Sequence, residues 1–135
     1  FHTEALPGVM KVLEDAEARG LHLAVGSSSE EYWVHGHLKR LGIFERFGSI
    51  VSSSDVKDAK PAPDIFLKVL EDLGVEAENA LVLEDSNNGV VAAHRAGIRV
   101  VAVPNEVARG QCLSLAAAII SSLEMLDLDA FFPEG

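Results

Sequence analysis

The chain has 135 residues, and its 48% hydrophobic content is enough for one globular domain with a buried core. The formal charge of −10, from 21 acidic against 11 basic residues spread along the chain, argues against nucleic acid or an anionic membrane as a partner. A local lysine, helix N-termini and a divalent cation can still reverse the field at one spot, so phosphate chemistry stays open.

Cys112 is the only cysteine, which rules out an internal disulfide and a cysteine-based metal site. A reducing, cytoplasmic setting is the default expectation. No apolar run approaches the roughly 18–20 residues of a membrane span, and no basic stretch followed by an apolar one opens the chain. The chain starts at Phe1 rather than at a methionine, which leads us to expect a processed product or a fragment.

After Leu6-Pro7-Gly8, apolar Val9, Val12, Leu13 and Ala16 recur at helical spacing up to Gly20, and Pro7 suits a first helical turn. Leu21 to Gly26 reads as a short buried strand, and Ser27-Ser28-Ser29-Glu30-Glu31 then offers N-cap hydroxyls and first-turn carboxylates to a second helix over Tyr32–Leu41. Gly42 is placed to end that helix. Ser49 to Ser52 is a brief strand. Pro61 and Pro63 hold Lys60 and Ala62 out of the helical region, and Asp64 opens a helix with Ile65, Phe66, Val69, Leu70 and Leu73 on one face before Gly74. Ala80 to Leu83 is the clearest buried strand, followed by Glu84-Asp85-Ser86-Asn87-Asn88-Gly89 and a helix through Val90, Ala93 and Ala96 to Gly97. Arg99 to Val103 is the next strand, closed by Pro104. Ala117 to Ile120 is a weaker edge strand, and the apolar tail from Leu123 to Phe132 is expected to dock on the body.

Strands alternating with helices predict right-handed βαβ units, hence an α/β, Rossmann-like three-layer sandwich with a mostly parallel sheet in a single domain, residues 1–135. Ligands of such sheets bind outside the carboxyl ends of the strands. Ser27, Glu84 and Asp85 all fall at that edge, and Lys60 is held in a rigid loop. Each residue has two readings. Ser27, with Ser28 beside it, either donates to phosphoryl oxygens or is an ordinary helix N-cap. Lys60 either neutralises a phosphoryl charge or is a solvated surface lysine. Glu84 and Asp85 are either hard oxygen ligands suited to Mg²⁺ or two acids in the first turn of a helix, where the dipole favours them. The five histidines show no metal spacing and read as structural or exposed, and Tyr32 and Trp33 read as packing residues.

Three strings raise these signals together. Ala24-Val25-Gly26-Ser27-Ser28-Ser29, Ala59-Lys60-Pro61-Ala62-Pro63-Asp64-Ile65-Phe66 and Leu81-Val82-Leu83-Glu84-Asp85-Ser86-Asn87-Asn88-Gly89-Val90 resemble, in order and spacing, the second, third and fourth motifs of the haloacid dehalogenase-like hydrolases. The nearer branch is that of the β-phosphoglucomutase-like proteins and small sugar-phosphate phosphatases, and Val103-Pro104-Asn105 has the same family look. The resemblance implies that Ser27 contacts the transferring phosphoryl group, that Lys60 stabilises its charge, and that Asp85 ligates Mg²⁺. Glu84 would assist the metal or orient Lys60, and Ser86 would join the metal shell or cap the helix. The family's first motif, an Asp-x-Asp on the opening strand, supplies nucleophile and general acid/base, and no stretch of this chain matches it.

By the same resemblance the chain is the C-terminal part of a core that lacks its first strand and its helical cap. That strand would lie between Leu21–Gly26 and Ala80–Leu83, so two strand edges would face a gap. The gap would be closed by the strands themselves, by a neighbouring chain, or by the protein's own N-terminal segment, the last being favoured. The implied activity is Mg²⁺-dependent phosphoryl transfer from a small phosphorylated metabolite through an aspartyl-phosphate. The alternatives are a sugar-phosphate mutase and a non-catalytic binding module, while a receiver domain would have its acidic pair on the first strand and its lysine last.

Overall fold

The computed structural model describes residues 8–103 and 115–132, so Phe1, His2, Pro7, Pro104, Asn105 and Cys112 lie outside the described residues. Among the described residues the α-helices and strands follow in chain order: α1 (Val9–Ala18), β1 (Ala24–Gly26), α2 (Glu31–Arg40), β2 (Ser49–Val51), α3 (Asp64–Leu73), β3 (Leu81–Glu84), α4 (Asn87–Arg95), β4 (Arg99–Ala102) and β5 (Ala118–Ile119). Among the described residues, no helix is long and apolar enough to cross a membrane.

The strand pairings of the described residues are parallel, as the alternating pattern predicts. Val25 faces Ile50 in the β1–β2 pair, Val82 faces Val100 in the β3–β4 pair, and Val101 faces Ala118 in the β4–β5 pair. The side chains of β4 alternate between two cores. Val100 and Ala102 join Phe66, Val90, Ala92 and Ala93 beneath α3 and α4, while Val101 points the other way to meet Ala16 of α1 and the tail residues Leu126 and Leu128. A third cluster packs Leu13, Val34 and Leu38 of α1 and α2 on Val25 of β1 and Ile50 of β2, with Leu23 just before β1. The result is three layers, with α1, α2 and the tail on one side and α3 and α4 on the other.

The ladder is in two pieces. β1 pairs only with β2, and β3, β4 and β5 form a second sheet, so within the described residues no strand hydrogen-bonds β1 to β3. This is where the family resemblance places a gap. The two edges have not closed on each other, although α3 packs against both β1 and β2 and sends Phe66 into the core of the second sheet.

The tail docks as expected, and it does so by polar as well as apolar contacts. Arg19 donates to the carbonyl of Phe132 at 3.0 Å and pairs with Asp129, while Arg99 donates to the carbonyl of Phe131 at 3.1 Å and stacks on both Phe131 and Phe132. Three sequence expectations need correction. The first strand starts at Ala24 and not at Leu21, because the N–H of Leu21 is drawn back to the carbonyl of Ala16 to finish α1. No serine of the 27–29 run caps α2; its N-cap is Glu30, without a side-chain bond, and the N–H of Glu31 is taken instead by the Ser54 hydroxyl at 3.3 Å. Tyr32 is not a packing residue, being 76% exposed on the first turn of α2.

Candidate active site

The Ser27, Lys60 and Glu84 positions converge at the carboxyl ends of β1 and β3, across the break between the two sheets. Lys60 spans it. Its ammonium donates to the carbonyl of Gly26, the last residue of β1, at 2.9 Å, and to the carboxylate of Glu84, the last residue of β3. The face of the Phe66 ring lies 4.8 Å from the same nitrogen. The Lys60 side chain is only 11% exposed and that of Glu84 only 7%, so the surface-lysine reading does not hold. An ammonium has three N–H groups, and two are accounted for by these acceptors.

Burial pushes the Glu84 carboxyl above its ordinary range; the Lys60 charge and hydrogen bond pull it back, and Asp85 adds a smaller upward push. The first-turn reading of the acidic pair also fails, since Glu84 belongs to β3 and α4 begins only at Asn87, with no acidic residue in its first turn. Ser86 is the N-cap, its hydroxyl accepting the N–H of Gly89 at 3.1 Å. Asp85 lies between these two anchors, exposed at the sheet edge.

Ser27 continues the β1–β2 ladder by donating its N–H to the carbonyl of Val51 at 2.9 Å, and its hydroxyl accepts the N–H of Ser29 at 3.1 Å. Ser28 is exposed beside it. The Ser27–Ser29 loop is held from the side by a turn after β2. Ser52, fully buried, makes a reciprocal capping box with Asp55, and the backbone N–H and hydroxyl of Ser53 both donate to the carbonyl of Ser29. Arg95 of α4 reaches the carbonyl of Pro61 at 3.4 Å, tying the Lys60 loop to the helix that follows Glu84.

Two glycines make the site possible. A Cβ at Gly89 would lie 1.9 Å from the Glu84 carboxyl carbon, and one at Gly26 would lie 2.7 Å from Ile65 and 3.2 Å from the Phe66 ring. Neither glycine, nor Phe66, stands out as a site residue from sequence. The Glu-Asp-Ser-x-x-Gly string contains Gly89, but its purpose is visible only once β3 and α4 are packed together.

A literal Asp-x-Asp does occur in the chain, at Asp127-Leu128-Asp129. It is spent on the tail turn, where Asp127 accepts the N–H of Asp129 at 2.9 Å and Asp129 pairs with Arg19. It follows no strand of the sheet and is no substitute for the first motif. Among the described residues no three His, Cys, Asp or Glu side chains are grouped to hold a metal. The oxygen donors of Asp85 and its neighbours fit Mg²⁺ all the same, because that ion is commonly held by one or two carboxylates and completes its shell with water and substrate phosphate.

A broken parallel sheet with a lysine, a hydroxyl and carboxylates gathered at its carboxyl edge defines an α/β domain of the Rossmann-like type. Residues 1–103 match the family described as haloacid dehalogenase-like hydrolase, and the chain belongs to that family of enzymes. It is 44% identical over 104 residues to YhcW of Bacillus subtilis, covering 77% of this chain and 47% of that protein. It is 38% identical over 114 residues to the phosphorylated carbohydrates phosphatase of Thermotoga maritima, covering 84% of this chain and 53% of that one. The crystal structure of CbbY from Rhodobacter sphaeroides in complex with phosphate superposes with a TM-score of 0.87 at 30% identity, over 91% of this chain and 56% of that chain. The chain thus spans about half the length of the curated relatives it matches.

Proposed function

We propose that this chain is the phosphoryl-binding part of a Mg²⁺-dependent phosphatase acting on a small phosphorylated metabolite, with a phosphorylated sugar as the favoured class. The observation that carries the reading is the Lys60 ammonium, buried between Gly26 and Glu84 at the carboxyl edge of the sheet. The phosphorylated carbohydrates phosphatase and CbbY, also crystallised with xylulose-(1,5)bisphosphate, support the substrate class.

In this reading Lys60 directs its remaining N–H at a phosphoryl oxygen, and Ser27 presents its hydroxyl to a second one. Glu84 keeps the ammonium in register and takes no part in bond making. Asp85 is the residue of this chain best placed to ligate Mg²⁺, with Glu84 and Ser86 behind it. Bound there, Mg²⁺ would draw off charge that accumulates on the phosphoryl oxygens. The nucleophilic aspartate of an aspartyl-phosphate mechanism would come from a strand seated between β1 and β3, supplied by the protein's own N-terminal segment. The setting would be cytoplasmic.

A non-catalytic binding module is the second reading, favoured because no strand among the described residues carries an Asp-x-Asp. One experiment separates the two. The complete protein and residues 1–135 alone are each assayed for Mg²⁺-dependent phosphate release from a panel of sugar phosphates, with EDTA controls. The phosphatase reading predicts turnover by the complete protein, none by the 135-residue chain, and self-association or instability of the latter from its unpaired strand edges. A complete protein inactive on the whole panel would support the binding module, and an active 135-residue monomer would overturn the role given to the added strand.

A further inference from the structure

We propose that Phe66 is a positioning residue for Lys60, its ring face acting as the third wall of the ammonium socket. The proposal rests on the reading of Lys60 as the group that meets the phosphoryl oxygens. Lysine carries four rotatable methylenes, and two hydrogen bonds alone leave its head free to pivot about them. The Phe66 ring removes that freedom. Its centroid is 4.8 Å from the Lys60 nitrogen, inside the range at which an aromatic face attracts a cation, and the side chain beside it is largely out of water, where such attraction is strongest.

The ring is itself fixed. Phe66 is 6% exposed and belongs to the core cluster with Val90, Ala92 and Ala93, and its edge lies against Gly26, where even a Cβ would come within 3.2 Å. The same residue, Gly26, provides the carbonyl that accepts from Lys60. The ammonium is therefore bounded by a carbonyl, a carboxylate and a π face from β1, β3 and α3, three elements that no backbone ladder joins into one sheet. A merely hydrophobic role would be met equally by leucine. The ring's negative face is what distinguishes the two accounts.

The test replaces Phe66 in the complete protein with phenylalanines bearing one, two and three ring fluorines, which drain the π face while nearly preserving shape. It measures kcat on p-nitrophenyl phosphate with Mg²⁺, melting temperature, and the proton shifts of the Lys60 ammonium, with Phe66→Leu and Lys60→Ala alongside. The proposal predicts ammonium protons shifted upfield by the ring and lost from that position in Phe66→Leu. It also predicts a kcat that falls step by step with fluorination to roughly a tenth, at constant melting temperature. A kcat flat across the series while Lys60→Ala is inactive would overturn the proposal and leave the phosphatase reading intact. So would a kcat that falls only in step with melting temperature. Full activity in Lys60→Ala would overturn the phosphoryl-binding role of Lys60, and the role of Phe66 with it, while leaving phosphatase activity as such in place.

Discussion

Gly89 touches Glu84 so closely that a side-chain carbon at position 89 would overlap the Glu84 carboxyl group as it stands, 1.9 Å from its carbon. The first turn of α4 thus closes directly over the end of β3, and the buried carboxylate is trapped facing Lys60. Gly89→Ala must push the carboxylate away, and overpacking of this kind costs about 1–3 kcal/mol. We expect a lowered melting temperature together with a lowered kcat, since Lys60 loses its register. Glu84→Asp withdraws the carboxylate by one methylene, so adding it to Gly89→Ala should restore part of the stability, a non-additivity that a double-mutant cycle of thermal denaturation measures directly.

Glu84 also makes stability depend on pH, with a sign fixed by its raised pKa. A carboxyl that titrates higher in the folded than in the unfolded chain holds its proton more tightly when folded. Its stabilising contribution is complete below the ordinary carboxylate range and is lost as pH rises through the raised value, after which it is level. Urea midpoints of the complete protein, taken from acid to neutral pH and compared with Glu84→Gln, isolate this contribution. The wild type should lose stability relative to Glu84→Gln on going upward through that window. Activity should run the other way, its acid limb lying above the ordinary carboxylate range because only the ionised carboxylate can pair with Lys60.

How much of this was legible in the sequence follows from the range of the forces involved. The strand and helix positions rest on local periodicity, and Val100, Val101 and Ala102 fall on alternating faces as the pattern requires. The Lys60 and Ser27 positions were legible because the loops that carry them are written in short strings with Pro61, Pro63 and a serine run, and Glu84 because it ends the apolar run of β3. What a single strand of text cannot hold is contact across elements. Phe66 reads as one more apolar residue on the face of α3, and only the packing of α3 beside β1 turns its ring toward Lys60. The serine run misled for a related reason: a hydroxyl at position 54, remote in sequence, took the helix N–H that the run was expected to cap.

Asp85 should behave unlike its neighbours because it is exposed where Glu84 and Ser86 are tied to Lys60 and Gly89. Asp85→Asn keeps the volume and removes the charge. In the complete protein we expect a melting temperature within a few degrees of wild type in the absence of metal, and Mg²⁺-dependent turnover abolished. Isothermal titration with Mg²⁺ should show weakened binding in this variant. Unchanged turnover at saturating Mg²⁺ would remove Asp85 from the metal site.

The most direct test of the central claim is the steady-state kinetics of Lys60→Ala in the complete protein, with a sugar phosphate that the wild type hydrolyses and saturating Mg²⁺. The account predicts a kcat reduced on the order of 10²–10³-fold, the usual loss when a preorganised charge is removed from a developing transition state. A variant with kcat at the wild-type level, whether or not KM rises, would contradict it.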